Sequence, residues 1–163
     1  MKAEVSGLNE RLVELLRRQK KIISAAESCT GGLFSALITD VPGSSEIISE
    51  SIVTYSNEAK MRELGVSGRT LDSFGAVSGE TAGEMAEGIR RHTGADIGVG
   101  ITGIAGPGGG TPEKPVGTVY AAIADDNGTA VFHMLHEGDR AKVRESTCAR
   151  VFSELIARLD DTR

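Results

Sequence analysis

The chain opens with apolar residues at helical spacing. Leu8, Leu12, Val13, Leu15 and Leu16 are interleaved with Glu10, Arg11, Glu14, Arg17 and Arg18, which predicts an amphipathic helix with a solvated charged face. The period then shortens. Residues 21–26 form a β-like run, Ser28-Cys29-Thr30-Gly31-Gly32 interrupts it, and helical spacing resumes with Leu33, Phe34, Leu37 and Ile38. This is the order of a strand, a tight turn and a helix start. Val41-Pro42-Gly43-Ser44-Ser45 reads as a loop. Ser51 to Tyr55 is rich in β-branched residues and predicts a strand. Ser56-Asn57 can cap a short helix from about Glu58 to Leu64, closed by Gly65. Tyr55 then lies at a strand end and Lys60 in the first turn of the following helix.

Residues Val66 to Gly75 read as a loop with room for a helical turn. Ser78 predicts the cap of a helix through about His92, ended by Gly94. Asp96 to Thr102 is a strand whose glycines predict a central position with close neighbours. Gly103 to Gly117 is the longest irregular stretch, and such a loop in a compact domain is more often functional than idle. Thr118–Ala124 and Ala130–His136 flank Asp125-Asp126-Asn127-Gly128, a hairpin signal. Gly138-Asp139-Arg140 leads into a last helix with Val143, Val151, Leu155, Ile156 and Leu159 on its apolar stripe. The alternation of helices and strands implies an α/β layer fold, and the hairpin makes its sheet mixed. There is no internal repeat, linker or domain boundary, so residues 1–163 read as a single domain. Ser28, Tyr55 and Thr102 each lie at or just beyond the C-terminal end of a predicted strand. Ligands collect at such ends, and parallel neighbouring strands would bring all three to one edge.

Composition narrows the function. The 163 residues are 39% hydrophobic and 25% charged, as in an ordinary soluble globular protein. Aromatics make up 4%, with no Trp, and the net charge is -5. Both argue against a nucleic-acid footprint built on base stacking and phosphate contacts. The two cysteines, Cys29 and Cys148, lack metal-ligand spacing and suggest no disulfide framework. Met1-Lys2-Ala3-Glu4 has no apolar signal region and no stretch is long enough to span a membrane, so a reducing cytoplasmic setting is expected. Gly accounts for 21 residues, many clustered where a backbone would approach a ligand closely.

The candidate chemistry centres on the turn at Ser28. A hydroxyl just ahead of a helix start can act as a nucleophile or ligand-positioning group, because backbone N–H groups there can stabilise an oxyanion. It can equally be a helix cap with turn glycines. His92, His133 and His136 are scattered, so no metal site is expected. The Gly-rich loop lacks the Gly-Lys-Ser/Thr ending of a Walker loop and does not open into a helix, but can cradle a phosphate or polar ligand. A serine nucleophile needs a base. Without a His–Asp pair, Lys60 is the leading candidate, provided desolvation lowers its pKa; otherwise it is a surface helix lysine. Cys29 is chemically the stronger nucleophile of the neighbouring pair or a small buried side chain. Tyr55 could relay a proton or merely end a strand, and Arg140 could hold an anion or be solvated.

Ala26-Glu27-Ser28-Cys29-Thr30-Gly31-Gly32, Thr54-Tyr55-Ser56-Asn57-Glu58-Ala59-Lys60, Gly75-Ala76-Val77-Ser78, Thr102-Gly103-Ile104-Ala105-Gly106-Pro107 and Lys114-Pro115-Val116-Gly117-Thr118-Val119 together resemble the CinA C-terminal domain family. The resemblance runs from about Leu8 to the final helix. It implies a three-layer α/β/α sandwich with a mixed, mostly parallel sheet, a C-terminal hairpin and a closing helix. Stand-alone members are nicotinamide-nucleotide amidases, which convert nicotinamide mononucleotide to nicotinate mononucleotide and ammonia in pyridine-nucleotide recycling. The family works without a metal or other cofactor and commonly forms homo-oligomers. Some relatives carry an extra N-terminal domain, and the resemblance here starts at the amidase part. The resemblance assigns the serine to Ser28 and the lysine to Lys60, with Tyr55 and Thr102 in the same site. Thr30, Gly31 and Gly32 would serve the oxyanion, Asn57, Gly103 and Gly106 the substrate, and Arg140 its phosphate. A non-catalytic nucleotide-binding or regulatory module, an amidase for another amide, and a Cys29 nucleophile are the alternatives.

Overall fold

The computed structural model describes residues 4–161; Met1 to Ala3, on which part of the signal-peptide argument rests, lie outside that range. The elements in order are α1 Leu8–Gln19, β1 Ile23–Glu27, α2 Leu33–Thr39, β2 Ile48–Val53, α3 Asn57–Leu64, α4 Gly68–Phe74, α5 Gly79–Thr93, β3 Ile97–Gly103, β4 Thr118–Asp125, β5 Gly128–Leu135 and α6 Arg140–Asp160, with a single 3₁₀ turn at Ser44–Glu46. The strands form one sheet in the order β2-β1-β3-β4-β5. β1 pairs in parallel with both β2 and β3, whereas β4 runs antiparallel to β3 and to β5. Four strands therefore point one way and β4 alone is reversed.

Period-2 alternation decides which layer each strand residue joins. Ala25, Ile97, Val99, Ile101, Ala121 and Ile123 face the large core shared with α1, α2 and α6, where Phe34 of α2 stacks on Phe152 of α6 at 4.9 Å. On the opposite face Ala26 joins Met85 and Ile89 of α5, and Ala122 and Ala124 join Ala82 and Ala86. The α5 side of the sheet is lined by small residues because the helix lies almost on the strands. A Cβ at Gly98 would stand 2.2 Å from the Ala86 carbonyl oxygen, and one at Gly100 would stand 2.4 Å from that of Ala82. The glycines of β3 mark a central, closely approached strand, as the pattern predicts.

The predicted elements are present with small changes in length. β2 starts at Ile48, three residues before the predicted strand, and ends at Val53 rather than Tyr55. Ser56 caps α3 by accepting from the Ala59 amide, so Asn57 is the first helical residue. The expected loop after Val66 contains α4, a seven-residue helix that buries only Leu71; so short a polar segment carries no apolar period to read. The hairpin turns at Asp126-Asn127, with Asp125 paired to Gly128 at φ 112°, and β5 stops one residue short of His136.

Candidate active site

The parallel register sets the site. Glu27, the last residue of β1, is level with Val53 of β2 and Ile101 of β3. The residues that follow, Ser28, Thr54-Tyr55 and Thr102-Gly103, therefore leave the sheet side by side, where β1 sends one connection toward β2 and β3 lies on its other flank. A cleft of about 270 Å³ opens there, lined by Ser28, Cys29, Tyr55, Lys60, Ala76, Val77, Thr102, Gly103, Ile104, Ala105, Gly106, Gly108, Gly109 and Arg140.

Lys60 reaches into this cleft from the first turn of α3. It is 1% exposed, and its Nζ lies 3.2 Å from Ser28 Oγ and donates to the Thr54 carbonyl at 2.9 Å. No carboxylate lies within ion-pair distance of Nζ among the described residues. Burial without a counter-ion disfavours the charged amine, and desolvation holds the Lys60 pKa below its ordinary 10.5. The neutral amine can accept the Ser28 proton and keep one N–H on Thr54. Ser28 is itself 8% exposed and its amide donates to the Ile101 carbonyl, which ties the turn at Ser28 to β3.

Cys29 shares the turn but not this chemistry. Burial pushes its thiol up to about 11, so the reactive thiolate is scarce at neutral pH. Cys148 is shifted upward by the same cause.

Tyr55 stands at the cleft mouth, 59% exposed. Its hydroxyl accepts from Arg140 at 2.9 Å, and a second guanidinium N–H of Arg140 donates to the Gly106 carbonyl at 2.8 Å. One arginine from the start of α6 thus bridges the end of β2 and the glycine loop. Thr102 donates to the Ala76 carbonyl at 2.7 Å and is 1% exposed, so it pulls the segment before α5 against the end of β3. The loop is anchored at several points: the Ile104 amide donates to Thr118, Gly117 donates back to Ile104, and Lys114 Nζ donates to the Phe74 carbonyl at 2.7 Å.

Seven of the sequence-derived residues meet in the cleft: Ser28, Tyr55, Lys60, Thr102, Gly103, Gly106 and Arg140. Thr30, Gly31, Gly32 and Asn57 are not among its lining residues. Thr30 is fully buried, and its carbonyl accepts from Arg144 at 2.7 Å. The Gly31 amide donates to the Ser28 carbonyl. Asn57 is exposed on α3, because the cap position belongs to Ser56. The start of α2 also differs from the expected open anion site. The Glu27 carboxylate accepts the Phe34 and Ser35 amides at 3.0 and 3.1 Å and the Ser35 hydroxyl at 2.6 Å. Ile104, Ala105, Gly108 and Gly109 line the cleft within the glycine loop 103–110 that the sequence offers as a wall of the site; Ala76 and Val77 also line it, and sequence reasoning gave them no site role because they carry no side-chain chemistry that marks one. Among the described residues no group of three or more His, Cys, Asp or Glu is placed to hold a metal ion, and no helix is long and apolar enough to cross a membrane.

Comparison with known proteins agrees with this architecture. The chain is 56% identical to a CinA-like protein of Kosmotoga olearia over 85% of its own length and 34% of the relative's. It spans about a third of the length of the curated relatives it matches. Among solved structures, the competence/damage inducible protein CihA of Agrobacterium tumefaciens superposes with a TM-score of 0.92 at 40% identity, covering 97% of this chain and 96% of that one. The competence or damage-inducible protein of Enterobacter asburiae superposes with a TM-score of 0.91 at 39% identity, covering 95% and 98%. The family model for the CinA C-terminal domain matches residues 5–159, nearly the whole described chain, and the chain belongs to that family.

Proposed function

We propose that this domain is an amidase that hydrolyses the carboxamide of nicotinamide mononucleotide to nicotinate mononucleotide and ammonia. The observation that carries the reading is the Ser28–Lys60 pair: a buried hydroxyl 3.2 Å from a buried amine with no ion-pair partner among the described residues. A non-catalytic binding module has no need of a buried lysine without a counter-ion, which costs stability.

The neutral Lys60 amine takes the proton of Ser28 as Oγ bonds to the carboxamide carbon. The tetrahedral intermediate collapses when the same ammonium returns that proton to the amide nitrogen, and ammonia leaves. Lys60 then deprotonates a water that attacks the ester carbon. Collapse returns that proton to the Ser28 oxygen and releases the carboxylic acid, which loses its own proton to solvent to give the carboxylate. The direct Lys60–Ser28 distance makes a relay through Tyr55 unnecessary; Tyr55 is held by Arg140 instead. The Thr30 and Gly32 amides expected to serve the oxyanion donate to no protein acceptor among the described residues, but neither residue lines the cleft beside Ser28. Arg140, its two recorded hydrogen bonds made to neutral oxygens, suits the substrate phosphate at the cleft mouth, since a charged acceptor binds a guanidinium more strongly than a neutral one.

The test is ammonia release from nicotinamide mononucleotide. Ser28→Ala and Lys60→Ala should each abolish turnover, and normal turnover by either removes the corresponding assignment. Saturable binding of the nucleotide by the wild-type chain with no ammonia would replace the amidase reading by a binding-module one. Release of ammonia only from other members of an amide panel would leave an amidase of different substrate.

A further inference from the structure

We infer that Glu27 is a positioning residue that holds the Ser28 hydroxyl in line with Lys60 by clamping the turn between β1 and α2; this rests on the reading of Ser28 and Lys60 as nucleophile and base. Glu27 is 0% exposed. A carboxylate so buried needs compensation, and this one is satisfied entirely from the far side of the nucleophile turn: by the amides of Phe34 and Ser35 and by the Ser35 hydroxyl. The side chain therefore spans residues 28–32 and fastens their two ends together. Gly31 and Gly32, at φ 56° and 98°, supply the left-handed backbone that lets the chain double back within that span.

The backbone of Glu27 closes a second loop. Its carbonyl accepts the Thr54 amide at 2.9 Å, and the Thr54 carbonyl accepts from Lys60 Nζ. Nucleophile and base are thus joined twice: directly, and through the ring Ser28, Glu27, Thr54, Lys60. From the other side Arg144 of α6 holds the Thr30 carbonyl. A turn loosened at Glu27 loses the restraint on Ser28 and admits water to the Lys60 amine.

Glu27→Gln tests this. The amide keeps one acceptor oxygen and presents an NH₂ to a donor that needed an acceptor, so the clamp opens on one side. We expect kcat for ammonia release to fall about tenfold to a hundredfold, the scale of a roughly 1 Å misplacement, with KM within about twofold, measured well below the melting temperature. The deciding readout is the Lys60 titration followed by NMR of its side chain. Opening the turn hydrates the amine and raises its pKa toward 10.5. Loss of the Glu27 charge with the turn intact should leave that titration where it is, because Glu27 is not among the groups that act on the Lys60 amine. A lower melting temperature with kcat and the Lys60 titration unmoved would show a merely structural cap and overturn the inference. Ser35→Ala, which removes one of the three bonds, should move kcat and the Lys60 pKa the same way by a smaller step; if Glu27→Gln does not fold, no movement in Ser35→Ala overturns the inference. Glu27→Asp should not restore the span, since it is one methylene shorter. If the wild-type chain releases no ammonia, the amidase reading fails, while the Lys60 titration still decides the role of Glu27.

Discussion

Lys60 is the residue whose environment says most. Its folded pKa lies below 10.5 because burial outweighs every favourable contact. Between the folded value and 10.5 the unfolded chain binds more protons, so stability rises with pH across that window and the buried amine is a liability below it. Two outcomes follow. The kcat/KM of the wild-type protein should rise with pH along a limb whose midpoint is below 10.5, and Lys60→Met, with little activity left, should lack that limb. The same Lys60→Met protein should melt higher than wild type at neutral pH, because it removes a desolvated amine while keeping the apolar stem; a lower melting temperature would mean that the bonds to Ser28 and Thr54 outweigh the desolvation. Cys29 gives a complementary expectation. With its thiol pushed up to about 11, iodoacetamide at pH 7.5 should leave ammonia release intact over a time in which a free small-molecule thiol is consumed.

At the scale of elements, the approach of α5 to the sheet is the feature most sensitive to a single atom. Gly100→Ala would place a Cβ 2.4 Å from the Ala82 carbonyl oxygen and 2.7 Å from the Ala86 amide nitrogen. Both are backbone atoms in the middle of a helix and cannot step aside. Overpacking of this kind typically costs about 1–3 kcal/mol, and more where the backbone must move; urea titration should show at least that loss. Gly108→Ala, with nothing within 4 Å of its new methyl, should leave the same titration unchanged. The contrast separates glycines needed for packing from those that merely occupy the loop. Strand, turn and helix around Ser28 were legible because their periods differ, and Gly31-Gly32 punctuates them. α4 was not, since seven residues with one buried side chain carry no period.

For the molecule as a whole, the cleft and the opposite edge of the sheet are separable. At that far edge Asp125, at the end of β4, is gripped by two bonds from Arg158 of α6 at 2.6 and 2.8 Å. This clamp joins the hairpin to the last helix, and the Arg158 guanidinium holds the Asp125 carboxyl below its ordinary 3.8. A carboxyl depressed in the folded state contributes stability above its unfolded pKa and loses it as pH falls through the folded value. Asp125→Asn should therefore lower the melting temperature at pH 7 and reduce the dependence of stability on acid below about pH 4, while kcat stays at the wild-type value. A change in kcat would show that the two edges of the sheet are coupled.

The sequence by itself determined the order of the elements other than α4, the mixed α/β class and the identity of the candidate residues. These reside in local period, turn chemistry and residue types that cannot be exchanged: Ser28 as hydroxyl, Lys60 as amine, Arg140 as fixed charge. Their meeting is a tertiary fact. Ser28 and Lys60 are joined because β1 and β2 are parallel neighbours in a register that ends Glu27 level with Val53, and a parallel register is set by crossovers and by packing on both faces rather than by any local signal. Packing likewise decided that Thr102 secures Ala76, that Arg140 bridges Tyr55 and Gly106, and that Asn57 faces solvent. The largest change concerns Glu27, which the sequence presents as one more polar residue beside a turn. Only the fold buries it completely against the start of α2, where two amides and a hydroxyl become its partners and the turn at Ser28 acquires a fixed shape.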